Sequence, residues 1–349
     1  MSSPSSSSDD YLTISGISPQ TPHWVTEQLY QQARLATYLL ITTWLFVSLP
    51  VFLLAENKPV ACFTLLPGLA IAAYIGYTLF HSLTKNHRDD EKKNIFPNLG
   101  AGNWITVLRA AMVVALACLL PMTHQYSLQW ENLLGWFAGG LYLIISLADL
   151  LDGYAARKQQ RVTELGKKLD IETDAAGLLA ASLVAIFSGR LPGIYLLVAL
   201  AYYLYILGIW WRNQQGLPVA DLLHRPYGRI IAGCQMGLVA MALFPVFASV
   251  YTHIGAVIFM IPFLLGFLRD WLVVSCRVRS DDNQRCHLDG IWSDMLNRGV
   301  SLLARLLIAL SGLLVLLTRH PSEIDLVWLS GYCIFGFLVV VGCLGRSAA

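Results

Sequence analysis

The sequence predicts an all-α fold, a polytopic membrane helical bundle of about ten transmembrane helices. Three observations lead there: the apolar composition, the lengths of the apolar runs, and the sorting of basic residues between loops. Of 349 residues, 56% are hydrophobic and 13% charged, with a mean hydropathy of +0.57, whereas a soluble domain carries roughly 25% charged residues. Runs able to cross a hydrocarbon core of about 30 Å fall near 36–55, 60–82, 105–121, 132–151, 171–189, 192–211, 229–250, 254–276, 299–317 and 324–344. Lys85, Arg88, Lys92, Lys93, Arg157, Lys158, Arg161, Lys167, Lys168, Arg212, Arg225, Arg277, Arg279, Arg285 and Arg298 collect on one side, and Lys58, Arg190 and Arg319 on the other. The charge-rich side is expected to be cytoplasmic. Both termini and the stretch 149–174 then face the cytoplasm.

Taken in order, residues 1–20 read as a disordered N-terminal tail. Its opening MSSPSSSSDD is polar and low in complexity, without the basic region or apolar core of a signal peptide. Residues 21–84 hold two accessory transmembrane helices preceded by TPHWVTEQLYQQAR at 21–34, whose mixed aromatic and polar spacing fits either an interfacial helix or a plain lead-in to the first span. KNHRDDEKKN at 85–94 reads as a solvated linker and the best domain boundary. Residues 95–280 hold six spans, the expected core, and 281–349 a cytoplasmic loop with two further accessory transmembrane helices. No internal repeat of the inverted-repeat transporter type is visible.

The formal charge is only +2, and the basic residues sit in juxtamembrane loops where orientation and anionic headgroups account for them. The lipid bilayer is the expected partner, and nucleic acid is not. The seven cysteines include no C-x-x-C pair and read as small packed hydrophobes.

Chemistry concentrates in DLLDGYAARKQQRVTELGKKLDIETD, 149–174. Asp149, Asp152, Gly153 and Ala156 stand at i, i+3, i+4 and i+7, one face of a continuing helix. Asp170 and Asp174 share a face of the next helix, and the short connection makes the two helices antiparallel neighbours. Four carboxylates can therefore converge. Like charges at about 4 Å repel strongly even at an effective dielectric of about 20, and each ion near lipid costs several kcal/mol, so something cationic must sit between them. Arg157, Lys167 and Lys168 could answer part of this. An all-oxygen set of four carboxylates also suits a pair of hard cations, Mg²⁺ or Mn²⁺ (two ions), which clamp phosphate oxygens. Gly153 and Ala156 would leave a groove for a diphosphate and a flat base, and Arg157 could fork onto phosphate oxygens. The competing reading is helix capping and surface salt bridging with Arg157, Lys167 and Lys168, which accounts for neither the glycines nor the spacing.

The pattern D-x2-D-G-x2-A-R-x8-G-x3-D-x3-D, carried by Asp149, Asp152, Gly153, Ala156, Arg157, Gly166, Asp170 and Asp174, resembles the signature of the CDP-alcohol phosphatidyltransferase family. A chance match is on the order of 10⁻¹⁰ per starting position at average residue usage. The resemblance covers about 103–276. It implies a six-helix integral membrane core that moves a substituted phosphate from a CDP-alcohol to an acceptor hydroxyl and releases CMP. NWIT at 103–106, followed by Arg109, resembles the family's N/D-x-x-T element, which implies nucleotide contacts for Asn103 and Thr106; Gly102 stands where the family usually has proline. Thr163 matches a donor-contacting position. GRIIAGCQM at 228–236 resembles in outline the family's G-K-x-K-T-x2-Q. Arg212 and Arg229 bracket the segment where similar enzymes bind the acceptor.

The expected donor set is Asn103, Thr106, Gly153, Ala156, Arg157, Thr163 and Gly166, with Asp149, Asp152, Asp170 and Asp174 as metal ligands and Asp174 also the general base. Two enzymatic readings compete, CDP-diacylglycerol with a small polar alcohol and a CDP-choline- or CDP-ethanolamine-type donor with a lipid acceptor. Acceptor arginines, which suit an acceptor bearing phosphate, favour the first. A transporter or ion channel is the third reading, but its acidic residues should be distributed through the pore, not clustered at helix ends. The expected partners are the CDP-alcohol, the acceptor alcohol and the bilayer, with a homodimer left open. The expected location is a bacterial inner membrane, multi-pass, with the site on the cytoplasmic face. Arg269 beside Asp270, and Arg305, stand out as ionisable groups in apolar spans.

Overall fold

The computed structural model describes residues 23–88, 94–124, 128–220 and 226–275. The described residues are helical, without a strand: α1 (His23–Leu54), α2 (Lys58–His81), α3 (Gly100–Ala117), α4 (Leu128–Lys158), α5 (Glu164–Phe187), α6 (Leu196–Gln214), α7 (Pro226–Leu243) and α8 (Ser249–Val274). The all-α expectation holds. Eight of the ten apolar runs lie on these helices, and the runs at 299–317 and 324–344, with Arg305, lie outside the described residues.

The eight described helices differ in their reach. Among the described residues six helices are long and apolar enough to cross a membrane: α1, α2, α3, α4, α6 and α8. The two that fall short do so for identifiable reasons. The first half of α5 carries Glu164, Lys167, Lys168, Asp170, Glu172 and Asp174, and its apolar remainder, 175–187, rises only about 20 Å at 1.5 Å per residue. The apolar part of α7 is confined to Ile231–Leu243.

The segment 21–34, open between interfacial helix and lead-in, forms from His23 onward the first turns of α1. Leu29, Ala33, Ala36 and Leu40 make one buried stripe along it, and no proline interrupts the helix before Pro50. The turn into α2 is fixed by Asn57, whose side chain accepts from Val60 N at 3.2 Å. The central element is α3, which packs against α1, α2, α4 and α5. Ala110, Ala111 and Ala117 are buried on it, and small side chains of this kind let membrane helices approach closely.

Gln235, the glutamine of GRIIAGCQM, knits the far end of the bundle. Completely buried, it accepts from the Tyr195 hydroxyl at 2.5 Å and donates to the Phe259 carbonyl of α8 at 2.6 Å. Polar bonds between membrane helices contribute about 1 kcal/mol. Gln235→Leu should therefore lower Tm in detergent by about 2–4 °C, measured by thermal unfolding at fixed lipid content, without changing the helical content at low temperature.

Candidate active site

The last three turns of α4 bring Asp149 and Asp152 toward α5, and residues 159–163 reverse the chain with Gln160 in the left-handed region at φ +52°. Thr163 then caps α5, its hydroxyl accepting from Gly166 N at 3.0 Å. This corner is held from the α3 side. Arg161 Nη1 donates to Asn98 Oδ1 at 2.6 Å, and Ala101 N donates to Gln159 Oε1 at 3.1 Å. Within 85–94, read above as a solvated linker, Asn86 and His87 are in fact buried. The Asn86 amide donates to the carbonyls of Phe96 and Asn98 at 3.0 Å each, while the His87 carbonyl accepts from Glu164 N at 3.1 Å. Charge count alone marks this stretch as solvated; its two uncharged-looking polar residues are what dock it.

All four aspartates converge, as expected, and the cation between them is Arg109 of α3. Its Nη2 contacts Asp149 Oδ1 at 2.8 Å and also Asp174 Oδ1. Its Nη1 contacts Asp170 Oδ1 at 2.8 Å and also Asp152 Oδ2. Arg109 is 1% exposed and Asp152 7%, whereas Asp149, Asp170 and Asp174 are 28–40% exposed, so the last three line the open side. Thr106, expected at the nucleotide, donates to Asp152 Oδ2 at 3.0 Å. Arg157, Lys167 and Lys168, which by sequence could answer part of the counter-charge, are joined by a cation that contacts all four aspartates directly. Arg157 and Lys167 are exposed; Arg109 is nine residues into α3, level with the carboxylates. The signal that could have found it is the rule that singled out Arg269 and Arg305, an ionisable group inside an apolar span.

The small residues divide between packing and space. A Cβ on Gly102 would lie 3.0 Å from Ala156 Cβ and 3.2 Å from the Asp152 carbonyl oxygen, so Gly102 and Ala156 together allow the close crossing of α3 over α4. Glycine where a proline is usual is thus explained by contact. Ala156 has a packing role at this crossing. At Gly166 a Cβ would meet Asn103 Oδ1 at 2.5 Å; only glycine leaves room for Asn103 against α5. Gly153 faces the Arg157 guanidinium, with Nη1 3.2 Å from where a Cβ would stand. Asn103 Nδ2 is buried and finds no partner among the described residues, a donor held near the N-terminal end of α3.

Asp149, Asp170 and Asp174 each offer an oxygen within 4.8 Å of the others, an all-oxygen set that fits a hard divalent cation. Asp152 stands deeper, its Oδ2 shared by Thr106 and Arg109. Of the acceptor candidates, Arg212 ends α6 with Nη2 donating to the carbonyls of Pro218 at 2.8 Å and Ser275 at 3.2 Å. Arg229 belongs to the first turn of α7, and its side chain lies outside the described residues.

Helices long and apolar enough to cross a membrane, with a carboxylate cluster at the head of the bundle, fit an integral membrane protein with a polar site. Comparison with known families gives the particular one: the CDP-alcohol phosphatidyltransferase family matches residues 100–268, from the first residue of α3 to near the end of α8. Residues 100–268 thus match a CDP-alcohol phosphatidyltransferase domain, and that family is one of transferases for substituted phosphate groups in phospholipid biosynthesis. No curated protein and no solved structure matches the chain.

Replacing Arg109 tests the site without substrate. Breaking a buried ion pair from one side costs about 3–5 kcal/mol, reduced here because three of the four carboxylates reach solvent. Arg109→Gln should lower Tm by several degrees, and millimolar Mn²⁺ should recover part of the loss by neutralising the same carboxylates. A variant as stable as the parent in chelator would show that Arg109 does not bind the cluster together.

Proposed function

We propose that the chain transfers a phosphatidyl group from CDP-diacylglycerol to a small polar alcohol at the cytoplasmic face of a bacterial inner membrane, releasing CMP. The observation that carries this reading is the convergence of four aspartates from α4 and α5 on one position beside α3, within the segment matched by the family. Bound Mg²⁺ or Mn²⁺, two ions held by Asp149, Asp152, Asp170 and Asp174, would supply charge neutralisation to the donor diphosphate and departing CMP.

The protein's own groups do the rest. Asn103 offers its unpaired amide to the nucleotide at the end of the site, and Gly153 leaves the backbone approachable beside Arg157, whose guanidinium can take phosphate oxygens. Thr163 and Gly166 fix the corner against which the donor lies. Arg109 holds the carboxylates in register and limits their mutual repulsion. Asp174 accepts the proton of the acceptor hydroxyl. That oxygen bonds to the donor phosphorus as the bond from phosphorus to the oxygen of the cytidine 5′-phosphate breaks, and the electron pair leaves with CMP. Arg212 and Arg229 are assigned to the acceptor.

Purified protein incubated with Mn²⁺ and CDP-diacylglycerol should release CMP only when the correct alcohol is present, and excess chelator should abolish release. CDP-choline or CDP-ethanolamine with diacylglycerol, used in parallel, reports the reversed pairing. Asp174→Asn should reduce turnover by about 10²- to 10⁴-fold while nucleotide binding persists; near-normal turnover would remove Asp174 from the reaction. Arg229→Ala should raise KM for the acceptor more than for the donor, and the opposite order would refute the acceptor assignment.

A further inference from the structure

Glu172 stands between Asp170 and Asp174 in sequence, yet on the other side of α5: two residues at 100° each turn it about 200° from both. It is 5% exposed within the bundle, where a carboxyl group costs several kcal/mol unless it is hydrogen-bonded. Its surroundings come from two different helices. The Tyr74 hydroxyl of α2 donates to Glu172 Oε2 at 2.5 Å, and Tyr202 of α6 stands beside the carboxylate. Tyr203 braces both rings edge-on, 6.3 Å from Tyr74 at 65° and 5.6 Å from Tyr202 at 78°. Packing alone would be served by leucine. The polar tie fixes an angle as well as a distance, and α5 is gripped on opposite faces by Arg109 and by this tyrosine group.

We propose that Tyr74, through Glu172, sets the rotation of α5 and so the aim of Asp170 and Asp174, which makes the α1–α2 hairpin a working part of the active site although it lies outside the matched segment 100–268. The inference rests on the transferase reading above. A turn of α5 by about 15° would move carboxylates carried about 5–6 Å from the helix axis by more than 1 Å, and a misplacement of that size can lower a rate by about 10²-fold. The hairpin has a second tie to the site: Gln32 of α1 accepts from Leu99 N at 2.8 Å, at the residue that opens α3.

The test removes one hydroxyl. Tyr74→Phe, scored per folded molecule by size exclusion and Tm, should lower kcat by about 10- to 100-fold and raise the half-saturating Mn²⁺ concentration, with KM for the CDP-alcohol little changed. Mn²⁺ binding is followed separately by the paramagnetic resonance signal of the free ion, which needs no turnover. A purely structural role would lower Tm and leave kcat and Mn²⁺ half-saturation per folded molecule at the parent's values, which would overturn the proposal. Should Tyr74→Phe fail to fold, Tyr74→Phe/Glu172→Leu removes both polar partners and with them the burial penalty. It should fold and still bind Mn²⁺ more weakly, and parental Mn²⁺ binding in that variant would equally overturn the proposal. A parent protein that releases no CMP from any CDP-alcohol would refute the transferase reading, while the Mn²⁺ titrations still decide the role of Tyr74.

Discussion

One buried guanidinium organises this protein. Arg109 is 1% exposed in the middle of α3, and no membrane interior tolerates it without counter-charge. The need is met by α4 and α5, each contributing two aspartates, so three helices are obliged to meet at one point. Their close approach follows from the same demand: Gly102 against Ala156 and Gly166 against Asn103 are the places where a single methyl group would hold the helices apart. One positive charge among four carboxylates leaves a formal charge of −3 if all are ionised. At an effective dielectric of about 20, carboxylates nearly 5 Å apart repel by about 3–4 kcal/mol per pair, so the arrangement favours further positive charge on its open side. The three partly exposed aspartates are the ones that can receive it.

Much of the site was legible because its spacing is helical. Residues at i, i+3, i+4 and i+7 share a face whatever the tertiary structure, so the convergence of Asp149, Asp152, Asp170 and Asp174 needed only the additional inference of a short antiparallel connection. The cation was not legible in the same way. Arg157, Lys167 and Lys168 are near the aspartates along the chain, and Arg109 is near them in space, 43 residues from Asp152 and 65 from Asp174. Ala156 shows a similar limit: its small size is evident in sequence, but that it packs against Gly102 depends on the crossing of α3 over α4. Hydropathy runs also do not register that charge in the first half of α5 shortens its apolar length, or that the apolar part of α7 is brief.

The boundary between core and accessory helices is likewise a sequence concept that packing blurs. The segment 85–94 divides them by composition, but Asn86 and His87 dock onto the beginnings of α3 and α5, and Gln32 and Tyr74 reach α3 and α5 from helices that carry no chemistry of their own. Gln235 does comparable work between α7 and α8. The polar groups inside this apolar bundle are few, and each of these joins elements distant in the chain.

The position of Arg109 also bears on how the protein is made. During synthesis α3 leaves the ribosome some forty residues before Asp149 and more than sixty before Asp170 and Asp174. An arginine at the centre of a helix entering lipid alone is penalised by about 2.5–3.5 kcal/mol even at the insertion machinery. The apolar flanks of α3 can carry that load, but the lowest-energy path keeps α3 beside the translocation site until α4 and α5 arrive with their aspartates. The helices α1 and α2 are already in place and supply an early docking face. Biogenesis is thereby ordered by electrostatics: the three site-bearing helices enter the bilayer's interior most favourably as one assembled unit, with the charge cluster closed before lipid surrounds it.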